Sequence, residues 1–294
     1  MFLSRQIIEA VAAVLFQYTG VNERLQVEGQ VSGGSINKCY KIKFGSRLYF
    51  LKTNSAKRFP GMLATEAEGL RKVASTNTIA VPGVIGSACL ADEQFLILAW
   101  IETGVNDVES QEKFGNALAL LHQNSTSDFG LDHNNYMGSL LQSNVKKNSW
   151  SDFFITQRLL PQVELGKQHG LLNKDILKQF DSLYTKIDSL YPKEQPALVH
   201  GDLWSGNYII DRAKQPVVVD PAVSYANREV DIAMTTLFGG FERSFYDGYN
   251  EVFPLQQGWN ERLELWNLYP LLIHLNLFGQ SYLPLLTKSL QRFC

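Results

Sequence analysis

The stretch His200-Gly201-Asp202-Leu203-Trp204-Ser205-Gly206-Asn207, followed by Val217-Val218-Val219-Asp220-Pro221, constrains this chain more than any other feature. Two carboxylates and a side-chain amide, all oxygen donors suited to a hard cation, stand on turns beside short apolar β segments at 198–199, 208–210 and 217–219. Asp, Asn and Gly form turns in any case, so each of these residues alone reads as an ordinary turn former. The spaced set, followed by an apolar strand and Asp-Pro, reads as chemistry.

Hydrophobic patterning places this cluster in the second of two unlike halves. Apolar residues at helical spacing predict a helix over 4–18, with Ser4 as its cap and Gly20 as its stop. Alternating segments at 25–31, 37–44 and 48–53 read as strands, with turns at Gly33-Gly34 and Gly45-Ser46. A helix over 62–74 and strands at 84–88 and 94–101 complete the first hundred residues. Beyond Thr103-Gly104 the pattern becomes helical: 110–122, 150–167, 174–190 and most of 228–293, with a polar loop at 124–148. The sequence therefore predicts an α+β chain of two lobes. Residues 1–102 form a β-rich N-lobe, and residues 103–294 form a mainly helical C-lobe carrying the cluster.

Asp202-x4-Asn207 has the spacing of a kinase catalytic loop, with Gly201 in place of its Arg, and Asp220 stands where a metal-binding Asp follows an apolar strand. Phosphoryl transfer needs a carboxylate that orients the attacking hydroxyl and takes its proton, and oxygen ligands that hold Mg²⁺ on the phosphates. Asp202 suits the first role; Asn207 and Asp220 suit the second. Lys52, in the apolar strand Leu48-Tyr49-Phe50-Leu51-Lys52, suits a phosphate-binding lysine. Its partner acid is expected on the next helix. Thr65-x-x-Glu68 matches a capping box, which leaves Glu66 as the better ion-pair candidate.

Gly33 and Gly34 match neither GxGxxG nor a P-loop, since Ser35 stands where the Lys would be. They form either a turn over the nucleotide phosphates or a plain hairpin. The segment 96–101, with Leu98, Trp100 and Ile101, would lie at the interlobe hinge, where backbone groups can read adenine. It can serve as a core strand at the same time. His200 reads as a structural donor, and Asp231 as a brace of the catalytic loop or a solvated helix acid.

These residues resemble the fructosamine kinase (ketosamine-3-kinase) family, within the wider aminoglycoside phosphotransferase and choline kinase group. His200–Asn207 looks like that family's signature, with Trp204 and Ser205 separating it from other small-molecule kinases. Asp220-Pro221-Ala222, REVDIAMTTLFGGF from Arg228, FYDGYN from Phe245, the HLNLFG core after Ile273, Asn135-Tyr136-Met137-Gly138 and Arg158-Leu159-x-Pro161-Gln162 fit as well, so the resemblance covers nearly the whole chain. It implies a protein-kinase-like fold and ATP-dependent phosphorylation of the sugar 3-hydroxyl of a ketosamine. The unstable product releases its amine, which makes the role deglycation. It also implies Asp202 as base, Asn207 and Asp220 as Mg²⁺ ligands, and Lys52 with Glu66 at the phosphates. Substrate is expected near Asp202, with the sugar against Trp204, Phe153 or His274, core packing being the expected fate of at least one of these. Two departures stand out. Ser35 replaces a Cys that some relatives carry, so redox control there is not expected, although the nearby Cys39 keeps another thiol route open. Ala99 replaces a hinge Glu, which leaves backbone reading of adenine intact.

Two other readings share the motif: a kinase for another small alcohol (an aminoglycoside, choline or a free sugar), or a catalytically silent binding protein on the same fold. The C-lobe shows no dense acidic cluster, which disfavours polycationic substrates, and Lys52, Asp202, Asn207 and Asp220 are all present, which disfavours silence. With 27 Lys and Arg against 29 Asp and Glu, nucleic acid is not the expected partner. Three scattered cysteines with no CxxC, and no apolar run of spanning length, predict a reducing, cytoplasmic setting without a membrane partner.

Overall fold

Period-two alternation in the first hundred residues builds one antiparallel sheet, and the positions it buries on each face decide what covers it. The computed structural model describes residues 3–31 and 36–294. Helix α1 (Arg5–Thr19) is followed by strands β1 (Leu25–Val31), β2 (Lys38–Phe44) and β3 (Arg47–Ser55). Helix α2 (Met62–Ala74) then leads to β4 (Val84–Cys89) and β5 (Glu93–Ala99). The strand order is β1-β2-β3-β5-β4, antiparallel throughout. One face carries Tyr40, Tyr49, Leu51 and Ile97 against Ile7, Val11 and Leu15 of α1. The other carries Leu96 and Leu98 against Leu63, Ala67 and Leu70 of α2. Ser4 accepts the Ile7 N–H at 3.2 Å, and Gly20 ends α1 at φ +71°.

Helix α3 (Val108–His122) opens the helical region, which has its own cores. The chain is thus a kinase-like fold, a five-stranded sheet followed by a helical lobe. Two short antiparallel strand pairs follow α3 in the chain. One pairs Tyr208–Ile210 with Pro216–Val218 and touches the N-terminal half through the Val218 N–H to the Ala80 carbonyl, 2.9 Å. The other pairs Ala197–Val199 with Ser224–Ala226. Together they frame residues 200–207 and 219–223, so the loop carrying Asp202 hangs from four short strands. Among the described residues no helix is long and apolar enough to cross a membrane.

Three local expectations change. The polar segment 124–148 holds a hairpin, β6 (Asn135–Met137) and β7 (Leu140–Gln142). Three-residue strands are too short to alternate visibly, and side-chain amides fix this one: Gln142 Nε2 and Asn144 Nδ2 both donate to Asn135 Oδ1. The helix over Trp150–Gln168 contains a π-helical stretch at Phe154–Leu159. Helix α2 begins at Met62 after Gly61 in the left-handed region, with no side-chain cap. Thr65 therefore lies inside the helix, its hydroxyl donating to the Met62 carbonyl at 3.0 Å, and the expected capping box with Glu68 does not form.

Candidate active site

Strand β3 is central, and its alternation sends Leu51 into the α1-facing core and Lys52 to the opposite face. Lys52 is 1% exposed and donates to Glu66 Oε1 at 2.8 Å from α2, and to Asp220 Oδ1 from the C-lobe. Burial alone would push its ammonium down; the two carboxylates outweigh that and hold it above its ordinary value. Glu66 is itself pushed up to about 7, by burial first and by Asp220, with Lys52 opposing. Glu68, two residues on, points elsewhere, toward His133 Nε2 at 3.3 Å.

Asp220 adopts φ +55°, uncommon for a residue with a side chain, at the turn after Val219. Across the cleft, Asn207 Nδ2 donates to the Asp202 carbonyl at 2.8 Å and to Asp202 Oδ2 at 2.9 Å. Among the described residues no group donates to the amide oxygen of Asn207. Burial pushes the Asp202 carboxyl up to about 7, the nearby Asp220 charge adds to it, and the Asn207 hydrogen bond opposes.

The loop is held from beneath. Asp231 accepts the His200 N–H at 2.7 Å and the Gly201 N–H at 2.8 Å, and meets His122 Nε2 at 3.1 Å. His122 Nδ1 lies 2.8 Å from the Tyr249 hydroxyl. Burial would raise the Asp231 carboxyl; the hydrogen bond and electrostatic pull of His122, with the Gly201 N–H, bring it below its ordinary value. His200 is wholly buried, with Nε2 donating to the Val219 carbonyl at 2.9 Å and Nδ1 accepting the Asp202 N–H at 3.2 Å. Burial lowers its pKa, in keeping with a neutral ring in that tautomer. Gly201 sits at φ +84°, and a Cβ there would lie 2.2 Å from the Ala222 carbonyl oxygen, so no other residue fits.

Two cavities meet at Asp220. One, about 300 Å³, is lined by Phe50, Leu98, Ala99, Trp100, Ile101 and Val219 among others. It is mostly apolar and bordered by the hinge backbone, as a purine pocket requires. The other, about 210 Å³, is lined by Asp202, Asn207, Asp220, Trp204, Tyr136 and His274 among others. Asp202 lies on its wall, only partly exposed. Trp204 packs edge-on against Phe238 (centroids 5.9 Å), which meets His274 (5.0 Å), itself 5.5 Å from Phe278.

Phe153 does not join this wall. It is fully buried, stacked on Trp150 with the Arg158 guanidinium 4.5 Å from its ring centre, and lines neither cavity. Helical phase sends it inward, so core packing accounts for it. Gly33 and Gly34 lie outside the described residues. Sequence reasoning missed His122, Tyr136 and Phe278. The first looks like any helix-terminal histidine; the other two sit in stretches whose motif resemblance marked them without assigning a role.

Asn207, on the second cavity, and Asp220, on both, offer hard oxygen donors that fit a divalent cation such as Mg²⁺. Among the described residues no group of three or more His, Cys, Asp or Glu could hold a metal unaided, so phosphate oxygens would complete its shell.

The family model for fructosamine kinase matches residues 7–294. A probable ketoamine kinase of Enterococcus faecium is 40% identical over 265 residues, covering 90% of this chain and 94% of that protein. The crystal structure of a fructosamine-3-kinase candidate from Haemophilus somnus 129PT superposes with a TM-score of 0.88 at 30% identity, covering 96% of each chain. A more distant likeness, in fold alone, is the amicoumacin kinase hAmiN solved with AMP-PNP and Ca²⁺, with a TM-score of 0.62 at 14% identity over 99% of this chain and 93% of that one.

Proposed function

Since the chain belongs to the fructosamine kinase family, we propose that it transfers the γ-phosphoryl group of ATP to the 3-hydroxyl of the sugar in a ketosamine. The observation that carries this reading is the junction at Asp220, where a mostly apolar hinge cavity meets a cavity bearing the Asp202 carboxylate. Adenine lies against Leu98, Trp100 and Ile101, and Lys52, positioned by Glu66, holds phosphate oxygens. Mg²⁺, held by Asn207 and Asp220, would offset charge on those phosphates. Asp202 orients the sugar hydroxyl and takes its proton as the new P–O bond forms and the bond to ADP breaks. Trp204 and His274 offer aromatic walls for the sugar. The 3-phosphate is unstable and releases the amine, so the outcome is deglycation.

ADP release with Mg²⁺ and ATP, measured against a ribulosamine, a fructosamine, choline, an aminoglycoside and free ribose, tests the reading. ADP formed with the ketosamines alone is the expected result. Turnover of choline, the aminoglycoside or ribose would keep the kinase chemistry and remove the substrate assignment. Silence across the panel, with no thermal shift in saturating Mg-ATP, would remove the kinase itself.

A further inference from the structure

The cavity that holds Asp202 meets the hinge cavity at Asp220, and elsewhere it adjoins a third cavity of about 230 Å³. Ile36, Leu277 and Phe278 line both the Asp202 cavity and this outer one, while no described residue lines both the outer and the hinge cavity. The outer cavity is thus entered past an apolar collar, away from the junction at which phosphates would arrive. Three elements build it: the turn before α2, the tip of the β6–β7 hairpin and the end of the helix Leu268–Phe278. At the hairpin tip Gly138 has φ +58°, and a Cβ there would fall 2.8 Å from Leu277 Cδ1, so tip and helix are in close contact.

Charge divides the two spaces. The charged residues lining the Asp202 cavity are Glu66, Asp202 and Asp220, all acids. The charged residue lining the outer cavity is Arg58. Arg58 is exposed, forms no ion pair among the described residues, and sets its guanidinium 5.2 Å from the Phe59 ring centre. Its turn is fixed from both sides. The Arg58 N–H donates to Ser55 Oγ at 3.3 Å and the Phe59 N–H to the Ser55 carbonyl at 3.0 Å. The Gln94 amide donates to the Phe59 carbonyl, and the Tyr136 hydroxyl, from β6, to the Pro60 carbonyl at 2.9 Å. The cation is therefore carried on a held backbone at a defined distance from the acids.

We infer that the outer cavity is a subsite for the amine carrier of the ketosamine, and that Arg58 selects carriers whose carboxylate stands several bonds away from the glycated nitrogen. The inference rests on the function proposed above. In a ketosamine the nitrogen is on C1, two carbons from the 3-hydroxyl. With that hydroxyl at Asp202, the nitrogen, a secondary ammonium at neutral pH, lies in the acidic cavity. A carboxylate on the next carbon, as in an α-amino acid adduct, is held among like charges, which disfavours it. A carboxylate at the end of an alkyl chain clears the acids. Its methylenes lie against Ile36, Leu277 and Phe278, and its two oxygens meet a planar guanidinium fork that matches them.

The test is kcat/KM, from ADP release by the full chain, for adducts of one sugar with 6-aminohexanoate, hexylamine and glycine. The sugar is the one that the panel above turns over best. The 6-aminohexanoate adduct should exceed the hexylamine adduct about three- to fivefold, the scale of an exposed ion pair, and the glycine adduct should be the poorest. The ratio of the first two should fall toward one in Arg58→Gln, and toward one in the wild type as salt screens the pair. A general loss of folding or of catalytic geometry lowers all three values together and leaves that ratio in place. Equal values for the 6-aminohexanoate and hexylamine adducts, a glycine adduct as good as either, or a ratio undiminished in Arg58→Gln would overturn the inference and leave the kinase reading standing. No ADP with any adduct would remove the ketosamine reading, and the inference with it.

Discussion

Two aspartates hold opposite sides of one loop and show how position alone divides their work. Asp202 stands above the loop, on the cavity it shares with Asn207 and Asp220; Asp231 stands below it, 0% exposed. Burial pushes both carboxyls up, yet Asp202 ends at about 7 and Asp231 ends below its ordinary value. The difference lies in the donors. Among the described residues, Asp231 receives two backbone N–H groups and His122, while the Asp202 carboxylate receives only the Asn207 amide and faces the Asp220 charge. Donors aimed at an ionised carboxylate fix it and remove its appetite for a proton. A carboxylate deprived of them keeps that appetite, which is what a general base needs.

The largest expected effect falls on the upper aspartate. Asp202→Ala should lower kcat by at least about 10³-fold, with Mg-ATP binding retained in a thermal-shift titration. A variant within tenfold of wild type would remove Asp202 as the base and collapse the division of labour. The lower aspartate should respond in stability. Asp231→Asn leaves the His200 and Gly201 N–H groups short of a charged acceptor, and should cost about 2–4 kcal/mol in urea unfolding at pH 7. The pH sign follows from its depressed pKa. The unfolded aspartate binds protons more readily than the folded one, so its contribution is complete above the unfolded pKa of about 4 and fades as acid takes the pH through the lower folded value. The gap between wild type and Asp231→Asn should therefore narrow below about pH 4. A gap that is constant across this range would mean that the charge of Asp231 is not what holds the loop.

Much of the upper site is legible in the sequence, because the residues proposed to meet phosphate and cation come in short, spaced strings. Asp202 and Asn207 are five apart, and Asp220 follows its own strand. Lys52 is marked by period-two alternation, and Glu66 by setting aside Glu68. That step reached Glu66 on a mistaken premise, since the helix begins at Met62 and no box forms. The underside is legible only in part. Asp231 lies within a recognisable string, but its partner His122 and that histidine's own partner Tyr249 stand 109 and 18 residues from it, and only packing of α3 against the helix Arg243–Val252 brings them together. Phe153 failed for a related reason: a type-based choice of aromatic wall says nothing about the side of the helix on which the ring falls. The hairpin β6–β7 was invisible because amide side chains fix it, and hydropathy does not register them.

The smallest effect sharpens the contrast most, because it predicts a gain. A carboxyl raised to about 7 binds its proton more tightly folded than unfolded, so wild type loses stability relative to a neutral isostere as the pH rises from about 4 to about 7. Asp202→Asn should thus match wild type near pH 4 and exceed it by about 1 kcal/mol at pH 8, without nucleotide or Mg²⁺, an increment worth about 1–2 °C in Tm for a chain of 294 residues. Strain of this kind at a site poised for proton transfer is stability given up for activity. Urea unfolding of Asp202→Asn and Asp231→Asn at pH 5 and pH 8 puts both carboxylates on one scale. The two variants should move in opposite directions, and the difference between them should widen with pH. A loss at pH 8 in Asp202→Asn comparable to that in Asp231→Asn would show that the upper carboxylate, too, is held by donors. Asp202 would then be a structural partner of Asn207, and the proton acceptor would have to be sought elsewhere on the cavity wall.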